Sequence, residues 1–159
     1  MTASARLAEL GISLPAPVAP LGSYTAATVV GEQVWTSGQL PMVDGALPLT
    51  GAVGADVTPE QAQSLARTAA LNALAAIDGA VGIDNVTRVL KLVVFVSSAP
   101  DFYGQPQVAN GASDYMTEIF GDAGVHVRSA VGVAALPANS PVEIEVVVEV
   151  SGSHPEKLS

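Results

Sequence analysis

The chain reads as an α+β domain, one mixed sheet carrying two helices on a single face, with core elements in the order β-β-α-β-α-β-β. Three observations lead there. "TPEQAQSLARTAALNALAAIDGAVG" has the start signal and the period of a long helix, "VEIEVVVEV" alternates as a strand does, and "TAATVVGEQVWT" is two β runs broken at a glycine. A length of 159 residues suits one domain.

In chain order, Ala3 to Leu10 forms a short amphipathic segment, expected as a helix. "SLPAPVAP" must be extended, because each proline biases its predecessor away from helix. Residues 1–21 are therefore an N-terminal extension, 22–150 the core of a single domain, and 151–159 a flexible tail. Gly31-Glu32 joins the first two strands as a hairpin, and the loop "MVDGALPLTGAVGAD" follows. Thr58 is the expected N-cap of the long helix, Pro59 its first residue, and Gln61 the partner that reaches back in a capping box. Ala62, Leu65, Ala66, Ala69, Ala73 and Ile77 recur at helical spacing, a stripe small enough to lie close on a sheet. "NVTRVLKLVVFVSS" is the next strand, apolar on both faces at its centre as a covered strand should be.

The second helix is expected from Val108 to Phe120, with Asn110-Gly111 able to delay its start. The closing pair, "RSAVGVAALPANSPVEIEVVVEV", is expected to be a hairpin. On its return strand Val142, Ile144, Val146, Val148 and Val150 share one face, and Glu143, Glu145, Val147 and Glu149 the other. On the outgoing strand Ser129, Val131 and Val133 alternate with Arg128, Ala130 and Gly132, a set with enough small residues to admit a subunit or ligand. Two helices cover one sheet face. The other is expected to meet further subunits, with pockets at the seams.

Composition narrows the function. Six Lys+Arg against 15 Asp+Glu give a net charge of -9, so the average surface repels phosphate polymers and nucleic acid is not an expected partner. Without cysteine there is no thiolate metal site or cysteine nucleophile, and two histidines are too few for a metal cluster; no metal is expected. No stretch approaches the roughly 20 apolar residues that span a bilayer, and "MTASARLAELG" lacks an apolar run behind a basic end. The expectation is a soluble cytoplasmic protein with no membrane partner.

Four segments, in order, carry a resemblance. "GSYTAA" resembles an entrance written G-P-Y-S-Q-A, and "TSGQLP" a strand end written S-G-Q-[IL]-P. The third is the long helix leading to "VTRVLKLVVFV"; the fourth, "RSAVGVAALPANSPVEIE", resembles R-x-x-V-x-V-x-x-L-P-x-x-x-x-V-E-I-E. Together they are similar to the RidA family, also called YjgF-like, of reactive intermediate deaminases, from about Gly22 to Val150. The extension and the loop "APDFYGQPQVANGASDYM" look like a longer branch of it.

That resemblance implies a fold of the chorismate-mutase type, a homotrimer with sites between subunits, and no cofactor. It also implies a reaction in which water attacks the imine carbon of a 2-imino acid, releasing ammonia and a 2-keto acid. A substrate carboxylate wants the fixed planar fork of an arginine, and Arg128 matches that clamp. Glu143 matches the acid that orients or activates water, Tyr24 the tyrosine at the entrance, and Gly38 the small position whose backbone approaches the ligand. The implied catalytic pair is thus Glu143 and Tyr24, and the implied substrate-binding set is Arg128, Gly38, Ala130 and Ser113.

Departures stand beside the matches. Ala130 sits where many relatives place Cys, Thr or Ser, and the helix asparagine falls, counting back from Phe120, near Ser113 rather than Asn110. Gly22-Ser23 and Thr25-Ala26 make the entrance less polar. Structural alternatives stay open: Arg128 paired with Glu143 or Glu145 across the hairpin, Tyr24 sealing a core edge, and Gly38 serving only a strand bend. Trp35 is expected in core or interface, Asn72 on the helix without a catalytic role, and His126 exposed at a strand start. The functional alternatives are a non-catalytic trimer that binds small carboxylates and, third, an endoribonuclease. Only Arg67, Arg88, Lys91 and Arg128 give basic charge between Tyr24 and Val150, a small footprint for RNA.

Overall fold

β1 (Ala27–Val30) and β2 (Gln33–Thr36) form the hairpin expected at Gly31-Glu32, with Gly31 at φ 57°, where a side chain would be strained. The structure, a computed structural model, describes residues 1–152. Most of the expected 151–159 tail therefore lies outside the described residues. No helix among them is long and apolar enough to cross a membrane.

α1 (Ala3–Glu9) is docked on the domain. Asp84 accepts from both the Ser4 backbone (2.8 Å) and its hydroxyl (2.6 Å), Arg6 Nε donates to the Glu118 carbonyl (2.9 Å), and Leu7 is buried. α2 (Pro59–Val81) begins with the expected capping box: Gln61 N–H donates to Thr58 Oγ1 at 3.1 Å, and Thr58 N–H to Gln61 Oε1 at 2.9 Å. α3 (Gln105–Phe120) begins three residues before the expected Val108. Pro106 in its first turn is the start signal, and Gly111 does not delay the helix. A Cβ at Gly111 would overlap the Gln63 carbonyl of α2, so the glycine lets the two helices touch.

The sheet order is β1-β2-β5-β3-β4. β3 (Val86–Ser97) takes β5 (Val142–Val150) antiparallel on one side and β4 (Val127–Val133) parallel on the other. The expected closing hairpin is therefore corrected, because β4 and β5 are not neighbours. The segment β3-α3-β4 is a crossover that lays α3 on the sheet and returns the chain parallel to β3. The link after β4 then passes the end of β3, where Ser98 N–H donates to Val133 O (3.0 Å) and Ser97 N–H to Pro141 O (2.9 Å).

Leu92, Val94 and Val96 of β3 and the even-numbered residues of β5 bury beneath α2 and α3, as the alternation of β5 predicts. Arg128, Ala130 and Gly132 sit opposite Leu92, Val94 and Val96, so this partly small set belongs to the helix side, at the sheet edge. The uncovered face carries Trp35, Val147, Phe95, Val131 and Glu143, with Trp35 half exposed.

Candidate functional site

Arg128 projects from edge strand β4 onto α3. Its Nη1 donates to Asn110 Oδ1 (2.7 Å) and Ser113 Oγ (3.0 Å), and Nη2 donates to the Pro106 carbonyl (3.1 Å). All three acceptors are neutral. Of the five N–H donors of a guanidinium, these bonds use three and leave two, Nε–H and one Nη2–H, without a partner among the described residues. The two ion pairs among the described residues are Arg6–Glu9 and Arg67–Glu118. The alternative pairing of Arg128 with Glu143 or Glu145 is therefore absent there; with β3 between their strands, it has no route.

Counting along the helix offered Ser113 or Asn110; the structure brings both to the arginine, three positions apart on one helical face. Ala130 shares this side of β4 and packs against the core with no polar atom to offer. His126, expected to be exposed, is tied in: Nδ1 lies 2.7 Å from the Gly124 carbonyl and Nε2 2.9 Å from Ser113 Oγ. A carbonyl only accepts, so the network assigns the proton to Nδ1 and makes Nε2 the acceptor for the Ser113 hydroxyl.

A second cluster forms where β2 runs out. Between Trp35 opposite Val147 and Gln39 opposite Ile144 the register slips by one residue, a bulge spanning Ser37 and Gly38. It brings Gly38 so close to β5 that a Cβ there would overlap the Glu143 carboxylate. Tyr24, Ser37, Gly38, Gln39 and Glu143 all line one cavity of about 220 Å³. Burial raises the pKa of Glu143 above the ordinary carboxylate value, and the neighbouring charge of Glu145 adds to the rise. Tyr24 is half exposed and its Oη accepts from Leu21 N–H at 3.2 Å.

The structure thus gathers Tyr24, Gly38 and Glu143 in one place, and Arg128, Ser113 and Ala130 in another. Asn72, expected on the helix without a catalytic role, lies buried on α2, and its Nδ2 donates to the carbonyls of Leu40 (2.9 Å) and Met42 (3.0 Å), both beside the cavity, a structural hold that spacing did not reveal. An amide among the alanines of a buried helical face was the available signal. Among the described residues no three His, Asp or Glu side chains converge as a metal site would require.

Residues 4–150 match the protein family described as "YjgF/chorismate_mutase-like, putative endoribonuclease". Protein TCP17 of Trypanosoma cruzi is 45% identical over 150 residues, spanning 93% of this chain and 94% of that protein. The 2-iminobutanoate/2-iminopropanoate deaminase of Salmonella typhimurium is 36% identical over 130 residues, 81% of this chain and 88% of its own. Among solved structures, a protein of unknown function from Agrobacterium tumefaciens superposes with a TM-score of 0.85 at 41% identity, covering 94% of this chain and 92% of that one.

Proposed function

The chain belongs to the YjgF/chorismate-mutase-like family, and from that premise we propose that it is a metal-independent hydrolytic deaminase of reactive 2-imino acids, working as a homotrimer with sites at the subunit seams. The observation that carries this reading is Arg128, whose charge is oriented by three neutral oxygens and, among the described residues, compensated by no carboxylate. Such a guanidinium keeps its charge for a substrate carboxylate. The deaminase names of relatives at about one-third identity support the reaction class.

In this reading Glu143 accepts a proton from a water as the water oxygen bonds to the iminium carbon. That proton passes to nitrogen; as the C–N bond breaks and ammonia leaves, Glu143 takes the proton of the new hydroxyl, whose oxygen becomes the carbonyl of the 2-keto acid, and hands it to the departing ammonia, which is released as ammonium. A carboxylate whose pKa is raised by burial suits both halves of that transfer. Tyr24 closes the entrance, and the cationic imine is electrophilic without a cofactor. Arg128 and Glu143 face away from each other within one chain, which supports a site built from Arg128 of one copy and Glu143 of the next. The uncovered sheet face around Trp35 and Val131 is the surface such an assembly would bury.

The test is release of ammonia and keto acid from imines generated in situ from amino acids. Acceleration by the wild type is expected, with none by Arg128→Ala or Glu143→Gln. Equal amounts of the two dead variants, dissociated and reassembled together, should regain about a quarter of wild-type activity, since random mixing rebuilds that share of seams. No acceleration by the wild type over buffer would sink the deaminase reading. Ala130, with no donor beside the clamp, favours a second reading in which the trimer binds small carboxylates without turnover, and the same assay separates the two. The endoribonuclease label of the family finds little support in a chain of net charge -9.

A further inference from the structure

The cavity beside Glu143 has two sides of different chemistry. Its polar side chains at the sheet end are Ser37, Gln39 and Glu143, while Val18, Leu21, Leu40, Met42, Tyr24 and Pro137 wall the rest, with no cationic side chain among the described residues. Each wall is held by a dedicated contact. The first belongs to the N-terminal extension, which is pinned by the Ser4–Asp84 and Arg6–Glu118 bonds, by Pro17 lying against Gly79, and by the Leu21 N–H on Tyr24 Oη. The second is the Leu40–Met42 turn, whose carbonyls are both held by Asn72. Burying an amide costs free energy unless its hydrogen bonds are made, and here they fix the turn that forms the wall.

Resting on the deaminase and carboxylate-clamp reading, we propose that the substrate is a 2-imino acid with an uncharged, apolar side chain well beyond methyl in size, of the leucine, methionine or phenylalanine kind. The substrate carboxylate goes to the guanidinium and the imine carbon to Glu143, which leaves the side chain for the apolar walls. With the one guanidinium taken by the substrate's own carboxylate, a second acidic group would face the Glu143 carboxylate among lining residues of this chain that include no cation among the described residues, and would lose its hydration uncompensated. A methyl group would leave most of the roughly 220 Å³ unfilled. The extension is thereby a specificity element, which assigns a use to a segment outside the motifs that carry the family resemblance.

Stable 2-oxo acids report side-chain preference independently of turnover. Calorimetric titration of the full-length protein with 4-methyl-2-oxopentanoate, phenylpyruvate, pyruvate and 2-oxoglutarate is the experiment. Each buried methylene is worth about fourfold in affinity, so the branched-chain and aromatic acids are expected to bind at least about tenfold more tightly than pyruvate or 2-oxoglutarate. Leu21→Ala and Met42→Ala should each narrow the ratio of branched-chain to pyruvate affinity about threefold or more. Pyruvate or 2-oxoglutarate binding as tightly as the larger apolar acids, or a ratio unmoved in both variants, overturns the proposal. The expected ranking without ammonia release from any imine would sink the deaminase reading alone. The opposite ranking with ammonia release would sink this inference alone, and no binding by any 2-oxo acid would end it together with the carboxylate clamp.

Discussion

Arg128 and Glu143 leave one sheet from opposite faces, on strands separated by β3. Arg128 lies opposite Leu92 and Glu143 opposite Phe95, an odd number of residues along the same strand. With strands about 4.8 Å apart and residues about 3.3 Å apart, their Cα atoms are separated by roughly 14 Å across the sheet. A 2-imino acid spans far less, so the two side chains meet one substrate only if they come from two copies of the chain.

Removing the clamp tests its role without endangering the fold. Arg128 makes no ion pair among the described residues, and its bonds are to neutral oxygens on an exposed edge. Arg128→Ala is expected to weaken 2-oxo acid binding about a hundredfold while Tm falls by less than about 3 °C. Arg128→Lys keeps the charge but loses the fork, and should recover only part of the affinity. Calorimetry and thermal unfolding of the same samples measure both quantities.

Glu143→Gln should separate stability from activity. Burial favours the protonated acid, so the folded chain binds this proton more tightly than the unfolded chain does. Stability from this group is therefore lost as pH rises from the ordinary value of 4.5 through the raised folded value. The glutamine removes that loss. At pH 7 its Tm should equal the wild type or exceed it by up to about 2 °C, with no advantage at pH 4, while ammonia release falls about 10²–10⁴-fold.

Gly38→Ala introduces a methyl where the Glu143 carboxylate lies. The obstructing atoms are the end of a flexible side chain, so the carboxylate moves and the fold survives. A displacement near 1 Å costs about a hundredfold in rate, so kcat should fall by one to two orders of magnitude with Tm within about 3 °C of wild type. In the Glu143→Gln background the same change should cost little more, because the two act on one group.

His126 acts on the clamp through Ser113. With Ser113 accepting from Arg128 and donating to His126, the imidazole fixes which way the hydroxyl points. His126→Ala is expected to raise KM about three- to tenfold through a loosened guanidinium, with kcat within about twofold. Combined with Ser113→Ala it should add almost nothing, and steady-state kinetics on the three variants would read this directly.

Local signals were legible. Thr58, Pro59 and Gln61 announce α2, Gly31 announces the first hairpin, and the alternation from Val142 to Val150 sorts both faces of β5. Each depends on residues within a few positions of one another. The pairing of β4 was not legible in this way, because two apolar runs joined by a proline-containing link look like a hairpin. What inserts β3 between them is the crossover through α3, a packing event spread from Val86 to Val133. The early start of α3 was legible in Pro106, a signal that the expected Val108 start left unused. At the candidate site, Tyr24, Gly38 and Glu143 were singled out by motifs, and the structure brings the three to one cavity. The tie from His126 to Ser113, the pairing of Asn110 with Ser113 on one guanidinium, and the hold of Asn72 on Leu40 and Met42 all join distant segments, so spacing could not reveal them.

The close approach of Gly111 to Gln63 sets how this sequence can drift. Gly111 stands between Asn110 and Ser113, so a methyl pressing on the α2 backbone would tilt the turn of α3 that aims Arg128. Asp114, on the exposed side of the same helix, is under no such restraint. A saturation library scored for clamp function should therefore come back nearly blank at Gly111 and crowded at Asp114, although neither side chain would touch the substrate. Gly111 carries no reactive group, yet it is a position where inheritance has little room to move.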